Sequence, residues 1–349
     1  MSIPNLTVGL DLGDRSSRTC GISGVGTKAF EDAISTTPAS VREYFGRLPR
    51  SRVVLEVGTH SPWVSQELVQ LGHEAIVANP SAVYGKRRRR KRNDRLDAEY
   101  LARQGRADPE LLHPIRHRGT KARVHLELLR ARDTLVRART RLINHVRGAV
   151  KPVGGRTRRC SAEAFGRRTL EDIAPELQPA LQPMLELIKK LSEQISKYDH
   201  DIEKLIASDY REAMHLQQIK GVGPLTALAF VLLIEDPRRF ENSRDAGAYF
   251  GLCPRLDDSS DSQPQLRISK AGDEMGRRLL VSAARYILGP FGPECDLRRH
   301  GMAIAARGGK NARSRAAVAV ARKLAVMLHK LWVSGTTYDP DRLTKRRAA

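Results

Sequence analysis

The sequence is poor in aromatic residues and in cysteine. Aromatic residues make up only 5% of the 349 residues, which argues against stacked rings as the main device for holding nucleic-acid bases. The four cysteines, Cys20, Cys160, Cys253 and Cys295, lie far apart and form no CxxC or Cys/His pattern. This spacing argues against a zinc site and against a disulfide framework, and it indicates reduced thiols.

Long apolar runs are missing as well. No stretch approaches the ~20 consecutive apolar residues of a spanning helix. The N-terminus leads directly into a strand-like pattern, without the features of a signal peptide. We therefore expect a cytoplasmic protein with no membrane partner.

Acidic residues are too few to balance the basic ones. The chain has 39 acidic against 61 basic residues, a net charge of +22 and a pI near 10.4. Such a surface attracts polyanions, and nucleic acid is the commonest of these. Since 40% of the residues are hydrophobic, the chain can still bury a sizeable core, and its length suits two domains and a connector.

Residues 1–116 carry the pattern of an α/β domain. Three strands are predicted first, followed by helix, strand, helix and strand in alternation, which is the order of an RNase H-like fold. The predicted strands cover residues 7–12, 18–24, 27–35, 53–58 and 74–78, and the helices between them cover 41–48 and 62–71. A basic loop and a helix over residues 94–104 follow.

Residues 117–210 are predicted to form a helical connector. Apolar residues recur at a period near 3.6 up to residue 150, and a Gly/Arg-rich break separates them from a heptad segment. Isoleucines 188, 195 and 202 are seven apart, and a second series starts at Met184 and ends at Leu205. This spacing favours a coiled coil, either between chains or as an internal hairpin, and a plain core helix is the alternative.

Residues 211–335 are predicted to be mainly helical, with helices near 243–251, 272–288, 293–306 and 311–334, before a polar tail over 336–349. The segment Ile-Lys-Gly-Val-Gly-Pro-Leu-Thr-Ala from residue 219 is typical of a helix-hairpin-helix motif. Lys220, Gly221 and Gly223 would there approach phosphate beside a helix N-terminus. A tight helical turn without a ligand is the alternative.

Two carboxylates stand at corresponding positions of two predicted strands. Asp11 lies in Val-Gly-Leu-Asp-Leu-Gly and Glu56 in Val-Val-Leu-Glu-Val-Gly. Each lies on the strand face opposite the apolar alternation, with a glycine two residues later. Pairing of these strands as neighbours would bring the two carboxylates together.

Asp94 and Asp97 supply a second pair of carboxylates. They are three apart at the predicted start of a helix, and hence on one face. Taken alone, they would merely favour the helix dipole, with Asp94 as the N-cap. Four converging carboxylates would repel each other unless a divalent cation joins them, and Mg²⁺ or Mn²⁺ suits such oxygen ligands. Two such ions are suited to phosphodiester cleavage.

A run of seven cations precedes Asp94. It consists of Lys86, Arg87, Arg88, Arg89, Arg90, Lys91 and Arg92. A solvated stretch is the usual interpretation of such a run, but its place beside the carboxylates favours contacts with phosphate.

The segment over residues 251–272 reads by its chemistry as a polar loop that leads into a helix, with Ser269 near the N-cap. It contains no histidine that could deprotonate a serine, so a protease-like triad has no local support.

Six short motifs together resemble the DEDD-type transposases of bacterial insertion sequences, the recombinases guided by a bridge or seek RNA. In chain order they are the Gly-Leu-Asp opening, Leu-Glu-Val-Gly-Thr, Asn-Asp-Arg-Leu-Asp-Ala, Ile-Lys-Gly-Val-Gly, Gly-Leu-Cys-Pro-Arg and Ile-Ser-Lys-Ala-Gly-Asp. Each is modest, but the set in this order and spacing is highly specific. The resemblance covers nearly the whole chain.

The resemblance implies a RuvC-like N-terminal domain whose DEDD set falls on Asp11, Glu56, Asp94 and Asp97. It also implies a C-terminal transposase domain whose serine attacks DNA and holds it covalently. Counting from the Gly-Leu-Cys-Pro-Arg motif places this nucleophile at Ser259. Ser260 is the alternative register, since glycine often follows the serine in the family, and Ser262 is a more distant one.

Further expectations follow from the same resemblance. The partners would be donor and target double-stranded DNA, a guide RNA and further copies of the chain, because relatives join the serine of one subunit to the carboxylates of another. Arg255, Arg267 and Lys270 are candidate phosphate clamps. The acidic neighbours Asp257 and Asp258 would accept the serine proton or help to bind metal. The location would be bacterial cytoplasm, in association with the nucleoid.

Three other functions fit part of the sequence. A RuvC-like Holliday-junction resolvase would use the carboxylates with water and would need no serine. An ATPase of the actin and sugar-kinase class would need a second glycine-rich phosphate loop, which we do not find. A non-enzymatic nucleic-acid organiser would explain the charge but not the four acids.

Overall fold

The computed structural model of the chain describes residues 5–80, 94–255 and 266–342, with the backbone alone for residues 94 and 95. Two compact units make up the chain, residues 1–118 and residues 119–349. Residues 119–210 belong to the second unit. A finer division of that unit at residue 210 stays a prediction.

The first unit contains a mixed five-stranded sheet in the order β3-β2-β1-β4-β5. β1 pairs antiparallel with β2 and parallel with β4, which in turn pairs parallel with β5. The strands are β1 (Leu6–Asp11), β2 (Ser16–Ser23), β3 (Lys28–Ser35), β4 (Arg52–Glu56) and β5 (Glu74–Ala78). The predicted α/β pattern with five strands is thus confirmed, and this sheet is compatible with an RNase H-like domain.

Helices cover both faces of this sheet. The helices are α1 (Pro38–Gly46), α2 (Ser61–Gln70) and α3 (Asp94–Ala107). α1 starts where Thr37 accepts a hydrogen bond from the Ser40 N–H and proline holds the first helical position. Val8 and Leu10 share a buried cluster with residues of α1 and α2, so these two helices lie on one face and α3 lies on the other.

α3 lies in unusually close contact with β1. A Cβ atom at Gly9 would come within 1.9 Å of the Ala98 carbonyl oxygen and 2.6 Å of the Ala102 nitrogen. At the other end of the helix, the Arg52 guanidinium donates to the Gly105 carbonyl at 3.0 Å. α3 therefore runs antiparallel to β1 and β4, and its N-terminus lies at the carboxyl ends of these strands.

The described part of the second unit is mostly helical and contains one short hairpin, and this confirms the predicted helical C-terminal part. Its helices are α4 (Thr120–Ala149), α5 (Ala162–Arg168), α6 (Gln178–Asp209), α7 (Arg211–Leu216), α8 (Pro224–Ile234), α9 (Asp245–Tyr249), α10 (Glu274–Leu288), α11 (Asp296–Ala306) and α12 (Ala312–Ser334). α8 is buried from Ala227 to Ile234, because its sequence is apolar on all sides. It forms the centre of this core.

α4 and α6 form an antiparallel pair within the chain. Lys121 lies 2.5 Å from Asp209, and the Arg132 guanidinium lies 2.5 Å from Asp199. Ile195 of the heptad series is only 3% exposed. The heptad spacing allowed a pairing between chains, an internal helix hairpin or a plain core helix. The structure contains an internal pairing of α4 with α6.

None of the helices in the described ranges is both long and apolar enough to cross a bilayer.

Candidate carboxylate site and serine loop

Asp11 and Glu56 lie at the carboxyl ends of neighbouring parallel strands. Leu10 pairs with Leu55 in the register of β1 and β4, so the two acidic residues follow at the same level. Both residues are half-buried. Because side chains alternate along a strand, Asp11 lies on the face of Gly9, against α3.

Glu56 lies on the same face of the sheet. Val54, two residues before it, meets α3, since a Cβ atom at Gly105 would come within 2.2 Å of the Val54 Cγ2 atom. Alternation then directs Glu56 towards the α3 side as well. The pairing that the sequence pattern required is present.

α3 brings the second pair of acids to this end of the sheet. Asp97 is 9% exposed and immediately precedes Ala98, whose carbonyl marks the closest approach to Gly9. Asp94 is the first residue of the helix, and its side chain lies outside the described residues. Three elements thus place the backbones of all four acids at one end of the sheet.

The set of metal ligands stays a prediction. The described side chains include no group of three or more His, Cys, Asp or Glu residues that could hold a metal ion. The carboxylate of Asp94 is not among these side chains. The donors at this end of the sheet are carboxylates, which match the preference of Mg²⁺ or Mn²⁺ for oxygen ligands.

A polar cluster on the loop after β4 was not predicted from the sequence. The Trp63 indole donates to His60 Nδ1 at 3.1 Å, so the ring proton of a neutral His60 lies on Nε2. That nitrogen lies 3.5 Å from the Asp14 carboxylate. His60 follows β4 and Asp14 follows β1. The only feature of the sequence that could have indicated them is that each comes shortly after a candidate carboxylate, Glu56 or Asp11.

Ser259 and its alternatives Ser260 and Ser262 lie outside the described residues, but both ends of their loop are described. Pro254 and Ile268 form an antiparallel bridge. The Arg255 N–H donates to the Arg267 carbonyl at 3.0 Å, and the Ser269 N–H donates to the Cys253 carbonyl at 2.9 Å. We call residues 251–255 and 266–272 the hairpin base.

The hairpin base is held closely against its surroundings. Gly251 and Gly272 have φ angles of +65° and +81°, a region that favours glycine. A Cβ atom at Gly251 would also come within 2.1 Å of the Ala271 carbonyl oxygen. We call residues 256–265 the serine loop. The backbone on both sides of it therefore has a defined conformation.

Arg277 of α10 is a further residue that the sequence did not reveal. Its Nη1 atom donates to the carbonyls of Phe250, Lys270 and Ala271 at 3.3, 3.1 and 3.3 Å. One guanidinium thus joins the second strand of the hairpin base to Phe250, the residue directly before the first strand.

Ser269 lies four residues before the N-cap of α10 and does not itself cap the helix. Asp273 is the N-cap of α10, because its carboxylate accepts from the Gly276 N–H at 2.9 Å. Ser269 belongs instead to the hairpin base. The candidate clamps Arg255, Arg267 and Lys270 are exposed on the same base, and their contacts with phosphate stay a prediction.

The helix-hairpin-helix segment forms the turn between α7 and α8. Gly221 has a φ angle of +100°, and a Cβ atom there would come within 2.9 Å of the Tyr286 ring. Packing against α10 is therefore a sufficient reason for this glycine. Lys220, Gly221 and Gly223 line a shallow cavity of about 390 Å³, and phosphate binding there stays a prediction. The basic run from Lys86 to Arg92 lies outside the described residues.

Two models of transposase families match parts of the chain. A family model described as a transposase, of the DEDD type found in IS110 elements, matches residues 8–153. A second model, described as "Transposase IS116/IS110/IS902 family", matches residues 213–295. The first match contains all four acids, and the second contains the hairpin base.

Relatives along most of the chain agree with these matches. The chain is 32% identical over 324 residues to a putative transposase of Sinorhizobium fredii, which covers 90% of this chain and 81% of the relative. It is 30% identical to a probable family 20 transposase of Pseudomonas aeruginosa, over 86% of this chain and 90% of the relative. It is also 30% identical to the transposase for insertion sequence element IS1111A of Coxiella burnetii, over 71% and 68%.

These matches show that the chain is a transposase. It belongs to the IS116/IS110/IS902 family of insertion-sequence transposases. Membership implies cleavage and transfer of DNA, and the DEDD domain suggests a divalent metal cofactor.

Proposed function

We propose that the chain is an RNA-guided recombinase that cuts and rejoins the DNA of its insertion sequence through a covalent bond to Ser259. Asp11, Glu56, Asp94 and Asp97 hold Mg²⁺ or Mn²⁺ in this proposal. The observation that carries it is the placement of the four acids by β1, β4 and α3 at one end of the sheet. The RuvC-like assignment of the first unit rests on the same placement.

The chain's own residues have distinct tasks in this reaction. A bound divalent cation supplies positive charge that polarises the scissile phosphate. The Ser259 Oγ atom forms a bond to phosphorus as the bond to one DNA oxygen breaks. Asp257 or Asp258 accepts the serine proton, and the departing oxygen leaves as a DNA hydroxyl once it has gained a proton.

Rejoining reverses these bonds. The hydroxyl of a new DNA end attacks the phosphorus, and the Ser259 oxygen leaves and regains a proton. The number of phosphoester bonds is unchanged, so no ATP is required. The close hydrogen bonding of the hairpin base supports this role, because a nucleophile needs a defined position relative to the phosphate.

The proposed partners follow from the same family resemblance. They are donor and target duplex DNA, a guide RNA, and further copies of the chain that bring a serine of one subunit to the carboxylates of another. The net charge of +22 supports nucleic-acid partners. The proposed location is the bacterial cytoplasm, in association with the nucleoid.

The test is denaturing electrophoresis of labelled DNA incubated with the protein, its guide RNA and Mg²⁺. The unmutated protein should give a protein-linked DNA band that disappears with excess EDTA. Ser259→Ala should keep nucleic-acid binding but give neither the adduct nor recombinant DNA, whereas Ser260→Ala should retain both. A band that persists in Ser259→Ala but vanishes in Ser260→Ala would move the nucleophile by one residue.

Two other outcomes would overturn parts of the proposal. Recombination without any adduct from the unmutated protein would contradict the serine mechanism and favour a resolvase that uses water. Full activity in excess EDTA would contradict the metal site.

A further inference from the structure

A large cleft in the second unit lies beside the hairpin base. Its volume is about 1620 Å³, and its walls come from α11, α12, the hairpin base and residues 336–342. We call it the basic cleft, because nine Lys and Arg side chains line it against two carboxylates, those of Asp296 and Asp339. This imbalance favours an anionic occupant.

One whole face of α12 forms the long wall of the basic cleft. Arg315, Arg322 and Lys330 lie on this face at intervals of about two turns, and all three are exposed. The opposite face of the helix is buried in the core, for instance at Leu324 and Leu328. Packing in this unit therefore requires the apolar face of α12. Of the three cations, Arg315 also donates to the Gly308 and Lys310 carbonyls at 2.9 and 3.3 Å, and the stem of Arg322 lies against Gly247.

Several of these cations have no acidic partner within the part of the chain that the structure describes. The described residues include no ion pair for Arg322, Lys330 or Arg267, whereas Arg299 of the neighbouring α11 pairs with both Asp296 and Asp341. Exposed cations on one wall of a cleft produce a positive potential in it. Between α11 and α12, burial and the charges of Lys323 and Arg307 lower the pKa of His300, in accordance with such a potential.

Arg267 and Lys270 connect the basic cleft to the serine loop. Both side chains line the cleft, and both residues belong to the hairpin base from which the loop starts. Apolar side chains, among them Val326 and Met327, lie between the cations of the lining. The occupant should therefore be an extended polyanion with apolar parts, and a lone inorganic ion would leave most of the surface uncovered.

We propose that the basic cleft binds the sugar-phosphate backbone of the DNA strand that enters the serine loop. Arg322 and Lys330 contact phosphates of that strand away from the scissile one, and Arg267 and Lys270 contact those next to the loop. This assignment rests on the proposed function, since it takes the loop to be the site of strand cleavage.

The test is the salt dependence of binding by the full chain to duplex DNA, single-stranded DNA and single-stranded RNA of one sequence. The double variant Arg322→Gln with Lys330→Gln removes two cations from the cleft. The log–log slope against salt should fall by about 1.8 for duplex DNA or about 1.4 for a single DNA strand if both side chains touch phosphate. A thermal melt of each variant establishes that it is folded.

The matched control is the double variant Arg285→Gln with Arg313→Gln. Both residues are exposed and lie outside the cleft lining, and the change in net charge is the same. The control should leave the slope almost unchanged. An equal loss in both double variants, a loss with RNA alone, or no loss from the cleft variant would overturn the proposal.

This measurement is independent of the serine chemistry. A reduced DNA slope in a protein that forms no Ser259 adduct would retain the cleft and reject the covalent mechanism. A Ser259 adduct together with an unchanged DNA slope in the cleft variant would retain the covalent mechanism and reject the cleft proposal.

Discussion

At the scale of single residues, Gly9 determines how closely α3 can approach the sheet. The space for its side chain is taken by the Ala98 carbonyl and the Ala102 nitrogen. Backbone atoms cannot turn away as a flexible side chain can, so any larger residue must displace α3. Asp97 would move with the helix, away from Asp11 on β1.

We expect Gly9→Ala to lower the free energy of unfolding by about 1–3 kcal/mol or more, as overpacking does. Activity should fall as well, because the acids on β1 and α3 separate. Chemical denaturation and the recombination assay measure the two effects. Gly46→Ala is the control, since nothing lies within 4 Å of a Cβ atom at that position, and its stability should change by less than about 0.5 kcal/mol. Equal stabilities of the two variants would contradict this role of Gly9.

Some of the important residues can be predicted from the sequence, and others cannot. Asp11 and Glu56 stand out because each places a carboxylate at a strand end, on the face opposite an apolar alternation, which is a local pattern. Arg277 has no such pattern, because its three acceptors are backbone carbonyls that the fold brings together. His60 was missed for a similar reason: its partner Asp14 comes close only once β1 and β4 are neighbours.

At the scale of elements, the α4–α6 pair shows the limit of a heptad pattern. The spacing of Ile188, Ile195 and Ile202 correctly predicts a continuous apolar seam, and all three are buried. It does not identify the partner helix, since an internal helix and a second chain bury the same residues equally well. Within the chain, α6 lies against α4, which contacts Asp199 and Asp209, and a pairing between chains stays untested.

Asp133 ties α4 to the start of α10. Its carboxylate lies 2.7 Å from the Arg278 guanidinium and 2.9 Å from that of Arg137. Burial alone would raise the pKa of Asp133, but the hydrogen bond and charge of Arg278 and the charge of Arg137 hold it below the ordinary value. The ionised form therefore stabilises the fold above the unfolded-state pKa, and this contribution is lost as the pH falls through the folded-state pKa.

We expect Asp133→Asn to lower the free energy of unfolding at pH 7 by about 1 kcal/mol, given the partial exposure of the pair. The difference from the unmutated protein should shrink as the pH falls below about 3.9, the ordinary carboxyl value. Urea denaturation at several pH values measures it. Glu127→Gln is the control, because Glu127 is 70% exposed and lies 3.7 Å from Arg130. A deficit for Asp133→Asn that does not depend on pH would contradict the electrostatic explanation.

At the scale of the whole molecule, the sequence predicts the sign of the charge but not its location. The cations of the basic cleft come from α12, the hairpin base and three separate positions, Arg244, Arg307 and Arg342, and no local run marks them. Arg322 and Lys330 are interspersed with apolar residues and resemble the solvated side of any helix. Their grouping with Arg267 depends on tertiary packing.

In contrast to the cations of the cleft, the basic run from Lys86 to Arg92 is evident in the sequence but lies outside the described residues. Replacing Arg88, Arg89, Arg90 and Lys91 with glutamine should reduce the salt slope of DNA binding by about 3–4 if all four touch phosphate. The matched control replaces the four exposed lysines of α6, Lys189, Lys190, Lys197 and Lys204. If both quadruple variants lose the same slope, the run contributes only general charge.

The position of β1 in the sheet has a consequence for synthesis of the chain. β1 leaves the ribosome first and soon pairs with β2, but its other edge stays open until β4 follows, because Thr7 pairs with Arg52. During that interval a nascent chain presents an apolar strand edge, and such an edge can template pairing with a neighbouring chain. We therefore expect ribosome stalling or truncation before β4 to produce aggregates, whereas chains released after α3, which covers the remaining face of the sheet, should remain dispersed.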